Sequence, residues 1–158
     1  MASSKSAEAR LVELGIELPP AHAPAGSYVP VRRVGDFAYV SGQGPLIEGC
    51  EEPVTGKVGE ALDLDQARRA AYLTGLNVLA ALRAEVGSLD RVTGLVKLLG
   101  FVNAAPGFVR IPEVINGCSD LMQEVFGEDG RHARSAIGVA ELPFDIAVEI
   151  ELIAAVRD

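Results

Sequence analysis

Toward the C-terminus, one arginine and two glutamates stand in strand-like surroundings. Arg134 opens the segment Arg-Ser-Ala-Ile-Gly-Val, and Glu149 and Glu151 alternate with aliphatic residues in Val-Glu-Ile-Glu-Leu. A guanidinium is planar and can hold a carboxylate through two parallel hydrogen bonds, which an ammonium cannot do. A carboxylate fixed within reach of a water can orient it and take its proton, as attack on an electrophilic carbon requires. Such a pair would suit a small molecule that bears a carboxylate, with no covalent nucleophile. As isolated residues, Arg134 also reads as a surface or interface arginine paired with an acid, and Glu149 as a solvated strand residue like Glu151.

Other chemistries have little to work with. The two cysteines, Cys50 and Cys118, and the two histidines, His22 and His132, make neither a disulfide framework nor a zinc-ligand spacing, so no metal or cofactor is expected. Cys118 falls in an apolar helical pattern and reads as a small core residue. The formal net charge of −8 repels a phosphate backbone on average, and the pairs Arg32-Arg33 and Arg68-Arg69 are too short to form a basic patch, so nucleic acid is not an expected partner. Apolar runs fall short of the roughly 20 residues of a membrane span, and the polar first residues lack a signal-peptide pattern. These features predict a soluble, cytoplasmic protein with no membrane partner.

The elements that must position the pair can be read from periodicity. With 158 residues, 49% of them hydrophobic, the chain is long enough for one core. Residues 1–26 read as an N-terminal appendage, weakly helical over Ala7–Leu14 before Pro19-Pro20 and Pro24, and residues 27–158 as the domain. Tyr28–Val34 and Phe37–Ser41 flank Gly35-Asp36 as a hairpin. Residues 44–61 read as a loop. Asp63 with Gln66 resembles a capping box, and the helix it starts runs through Leu73, Leu76, Leu79 and Leu82 to Gly87. Arg91–Val102 has the apolar character of a strand covered on both faces. Pro112 opens a second helix with Val114, Ile115, Cys118, Leu121, Met122 and Val125 on one stripe. The last strands are Arg134–Glu141 and Ile146–Val156. The order is β-β-α-β-α-β-β, an α+β plan with two helices on one face of a sheet. The face left over, which includes Ile153, predicts cover by another subunit.

If Leu142–Asp145 closes an antiparallel hairpin, paired residues have numbers summing to 287. Arg134, Ala136 and Gly138 would then share a face with Glu149 and Glu151, and Ile137 and Val139 would join Ile146, Val148 and Ile150 in the core. Glu149 would sit opposite Gly138, about 13 Å along the strand from Arg134. A ligand, a water or a neighbouring subunit would have to bridge them.

Several segments resemble the reactive-intermediate deaminase (RidA, or YjgF-like) family: Arg134-Ser-Ala-Ile-Gly-Val-Ala-Glu-Leu-Pro143, Val148-Glu-Ile-Glu-Leu-Ile-Ala-Ala155, Gly26-Ser-Tyr28 and Ser41-Gly-Gln-Gly-Pro45. The resemblance spans roughly residues 24–157. It implies a chorismate-mutase-like α+β fold with a mixed sheet, assembled as a homotrimer with ligand clefts between subunits. Its best-known branch hydrolyses reactive 2-imino or enamino acids to 2-keto acids and ammonia, which implies a 2-imino or 2-keto acid as the partner molecule. By position, Arg134 is similar to the carboxylate-binding arginine and Glu149 to the acid that handles the hydrolytic water. Tyr28, Ser41 and Asn116 resemble pocket-wall positions. The chain departs from the family in having Ser27 where proline is usual and Ala136 where the deaminase branch often has cysteine. Two other readings stay open: a non-catalytic trimer that binds small carboxylates, and an endoribonuclease, against which the acidic charge weighs.

Overall fold

In the computed structural model, which describes residues 5–46 and 53–158, the chain runs α1 (Ala7–Leu14), β1 (Val31–Val34), β2 (Phe37–Gln43), α2 (Leu64–Val86), β3 (Val92–Asn103), α3 (Ile111–Phe126), β4 (Ala133–Val139) and β5 (Val148–Val156). Cys50 lies outside the described residues. Local signals set the helix ends. The Asp63 carboxylate accepts from the Gln66 N–H and the Gln66 side chain accepts from the Asp63 N–H, both at 2.9 Å, so α2 starts on a reciprocal cap. It stops at Gly87, whose φ of +84° few other residues would adopt. In α3 the proline falls in the first turn, where its missing N–H breaks no helical bond.

The five strands lie in the order β1-β2-β5-β3-β4. β1 and β2 form the predicted hairpin, Val34 opposite Phe37 across a two-residue turn. The expected hairpin of the last two strands does not form. β4 pairs in parallel with β3, from Lys97 with Ala133 to Asn103 with Val139, and β5 inserts antiparallel between β2 and β3. A parallel neighbour needs a crossover, and α3 provides it. The short Leu142–Asp145 connection then carries the chain past the end of β3 to its other side.

This pairing inverts the expected parity. Arg134 lies opposite Leu98, and Leu98 opposite Leu152, so the arginine takes the helix-covered face. Ile137 lies opposite Phe101, and Phe101 opposite Glu149, so the isoleucine shares the other face with the carboxylate instead of joining the core. Arg134 and Glu149 therefore occupy opposite faces of one sheet.

α2 and α3 cover the first face. Leu79, Leu82, Leu98, Ile115, Leu121 and Leu152 are fully buried there, and each such side chain contributes about 1.5–3 kcal/mol relative to exposure. The helices approach closely at Gly117, where a Cβ would overlap the Arg68 carbonyl oxygen. α1 adds Ala7 and Leu11 to the same core. It is held by a reciprocal pair of bonds: Glu8 N–H donates to Asp90 Oδ1, and Leu89 N–H donates to Glu8 Oε1, each at 2.9 Å. On the second face Phe37, Tyr39 and Ile137 remain 42–45% exposed. No helix among the described residues is long and apolar enough to cross a membrane.

Candidate functional site

The ladder between β2 and β5 slips after Val40: Val40 pairs with Leu152, yet Gln43 pairs with Ile150. Such a bulge redirects side chains, and here it falls on Ser41 and Gly42. The space above Gly42 is taken by Glu149, because a Cβ built on the glycine would overlap Glu149 Oε1. The carboxylate is half-buried. Burial, and next the neighbouring Glu151 charge, raises its pKa above the ordinary 4.5, which favours a group able to accept a proton.

Ser41 and Tyr28 line the same groove as Glu149, an open space of about 660 Å³ that also meets Gln43 and Phe144. The Ser41 hydroxyl donates to the Val29 carbonyl at 2.7 Å, which leaves its lone pairs as acceptors. The Tyr28 hydroxyl accepts from the Ala25 N–H at 3.2 Å, so its own proton is free to donate. Tyr28 stands before β1 and not within it, because the strand begins at Val31.

Arg134 lies elsewhere, in a shallow depression of about 300 Å³ with Asn116, Ser119 and His132. Its Nη1 donates to Asn116 Oδ1 at 2.7 Å and to Ser119 Oγ at 3.2 Å. The serine continues into a defined chain. His132 Nδ1 lies 2.8 Å from the Gly130 carbonyl, which can only accept, so the proton sits on Nδ1. Nε2 then accepts from the Ser119 hydroxyl at 3.0 Å. Burial lowers the pKa of His132, which agrees with the neutral ring that this chain requires. With Nη1 committed, the Nε–Nη2 edge of Arg134 makes no hydrogen bond among the described residues. Two side-by-side N–H groups are thus left without a partner among the described residues, as a bidentate carboxylate clamp needs.

The structure thus gathers the sequence candidates into two separate groups. Tyr28, Ser41 and Glu149 form one, Arg134 and Asn116 the other, and the sheet separates them. Asn116 reaches the arginine and holds it. Sequence reasoning missed Gly42, Ser119, His132 and Phe144 as contributors. Two of these left a trace in the spacing: Ser119 is three residues from Asn116 on one helix face, and His132 is two residues before Arg134 at the entry to its strand. Cys118 is fully buried with its thiol pushed up to about 12 by that burial, which makes it an inert core residue. Among the described residues no group of three or more His, Cys, Asp or Glu side chains could hold a metal ion.

Residues 8–156 match the family model described as "YjgF/chorismate_mutase-like, putative endoribonuclease". Protein TCP17 of Trypanosoma cruzi is 47% identical over 146 residues, 90% of this chain and 89% of that protein. The 2-iminobutanoate/2-iminopropanoate deaminase of Dermatophagoides farinae is 33% identical over 142 residues, 90% of this chain and 95% of that one. The solved structure of protein Atu1372 from Agrobacterium tumefaciens, whose function is described as unknown, superposes with a TM-score of 0.87 at 45% identity, covering 96% of this chain and 92% of that one. Matched along nearly its whole length by sequence and by fold, the chain belongs to the YjgF/chorismate-mutase-like (RidA) family.

Proposed function

We propose that the protein hydrolyses small 2-imino or enamino acids to 2-keto acids and ammonia, in a site that two copies of the chain complete together. The observation that carries this reading is the division of the site. One face of the sheet offers an arginine with its bidentate edge free, and the other a half-buried glutamate of raised pKa among hydroxyl groups. A single chain cannot bring these to one ligand, but a neighbour seated on the open, partly apolar face can. The relationship to an imine deaminase at 33% identity supports the same reaction.

In this mechanism the Arg134 edge holds the substrate carboxylate and fixes the adjacent C=N carbon. Water oxygen attacks that carbon while Glu149 accepts a water proton. The resulting carbinolamine carries a hydroxyl and an amine on one carbon. Glu149 delivers that first proton to the nitrogen to complete the amine, then takes the hydroxyl proton and passes it to the same nitrogen, so that the C–N bond breaks as the oxygen forms the ketone C=O and ammonia leaves. One water is consumed and no redox partner is required. We place this cytoplasmic hydrolase in a homotrimer, without nucleic acid, membrane or cofactor as partner; the net charge of −8 argues against RNA as substrate.

The test is a coupled assay of keto-acid formation from freshly generated 2-imino acids, run beside calorimetric binding of the keto-acid product. Turnover that is lost in Glu149→Gln while binding persists supports the enzyme. Binding without turnover in the wild-type protein makes it a small-carboxylate binder instead, and RNA cleavage abolished by Glu149→Gln would favour the nuclease.

A further inference from the structure

The groove that holds Glu149 is larger than a three-carbon imino acid requires. It is an open space of about 660 Å³, a size within the roughly 300–1,000 Å³ of pockets that bury much larger ligands. Beyond its polar groups the wall is apolar: Pro24, Tyr28, Pro30, Leu46, Phe144 and Ile146 all border it. Phe144 is the unusual member. It is 83% exposed, and both Phe144 and Asp145 hold a φ of +57°, a region that residues other than glycine adopt at a cost.

Such a backbone persists where its surroundings over-determine it. Asp145 Oδ1 accepts from Asn103 Nδ2 at 3.0 Å, and the Asp145 carbonyl accepts from the Gly56 N–H at 2.8 Å. Asn103 is itself fully buried, with its Oδ1 accepting from Lys57 Nζ at 2.8 Å. The turn is therefore pinned from the end of β3 and from the loop before α2, and it holds the phenyl ring at the mouth of the groove instead of packing it on the core. The far wall is tied as well, through His22 Nε2 donating to the Leu46 carbonyl at 2.8 Å.

Resting on the imine chemistry assigned above to Glu149, we propose that this groove selects 2-imino acids with a bulky apolar or aromatic side chain, which packs against Phe144. Wild-type protein and Phe144→Ala are compared for kcat/KM on imines generated from phenylalanine, leucine and alanine, and for calorimetric Kd of phenylpyruvate and pyruvate. The phenylalanine-derived imine is preferred over the alanine-derived one by about tenfold or more, the scale of apolar pocket discrimination, with phenylpyruvate bound correspondingly tighter. Phe144→Ala lowers both ratios by about tenfold. Because the ring is exposed, its truncation leaves the core intact; Phe144→Gly, which also relieves the positive φ, gives the same loss. Equal or reversed preference in the wild type, or ratios unchanged in both variants, overturns the proposal. Selective phenylpyruvate binding without hydrolysis of any imine keeps the selectivity and rejects the deaminase reading alone.

Discussion

Gly42 and Glu149 occupy one space: a Cβ on residue 42 would overlap the Glu149 carboxylate. The atom that must move is the end of a flexible side chain, so Gly42→Ala displaces the carboxylate at little cost to the fold. We expect imine hydrolysis to fall about 100-fold, the lower range of what a positioned base contributes, with thermal unfolding nearly unchanged. Activity within a few-fold of wild type would mean that Glu149 works in another position.

Glu149 also leaves a mark on stability. Its pKa in the folded protein is raised from 4.5 by burial and by Glu151, so the folded state holds a proton that the unfolded state releases. Below both values there is no effect; as pH rises from the ordinary glutamate value through the raised one, stability falls, and at neutral pH the cost of the half-buried charge is fully present. Glu149→Gln carries no such charge. The variant should unfold at a higher denaturant concentration than wild type at neutral pH, with the difference vanishing near pH 4. On the same linkage, wild-type turnover should decline on the acid side at a higher pH than an ordinary glutamate would give.

The arginine clamp predicts a graded series. Arg134→Lys keeps the charge and loses the planar fork, and keto-acid affinity should fall about 10-fold or more, with Arg134→Ala lower still. Ser119→Ala leaves the guanidinium whole but removes the link to His132. Its effect should be a higher KM and weaker keto-acid binding of about 3- to 10-fold, the size of one hydrogen bond, with kcat little changed. Titration calorimetry on the three variants separates these outcomes.

Division of the site across the sheet predicts complementation between defective subunits. Arg134→Ala and Glu149→Gln are each inactive in this scheme, but refolded or co-expressed together they place an intact arginine from one copy beside an intact glutamate from another. Random assembly restores about a quarter of the sites. Static light scattering should give a trimer mass at micromolar concentration. A monomer mass, or mixed subunits with no recovered activity, would remove the intersubunit site.

How much of this was legible in the sequence depends on the range of the interaction concerned. The Asp63–Gln66 cap, the stop at Gly87, the Pro112 start and the apolar stripe of α3 are decided within a few residues, and each stands where the pattern predicts it. The alternation of β5 is equally local, and its burial follows the sequence residue by residue. Arg134 and Glu149 were identifiable because their neighbours resemble a family motif. Which face of the sheet each takes was not, because that depends on strand partners far apart in the chain. A short connection such as Leu142–Asp145 favours a hairpin, yet a 16-residue helix between β3 and β4 is also the spacing of a parallel crossover, and once α3 docks on the sheet the place beside β3 is filled by β4. β5 can then pair only on the other side of β3, where β2 completes its ladder. Side chains alternate along a strand, so this one exchange of neighbours turned Arg134 from the face of Glu149 to the face of the helices. The sequence determined which residues stand as candidates for the chemistry and which local elements bear them. Only the tertiary structure decided that they stand on opposite sides of a sheet, because strand order is a property of the whole packed core.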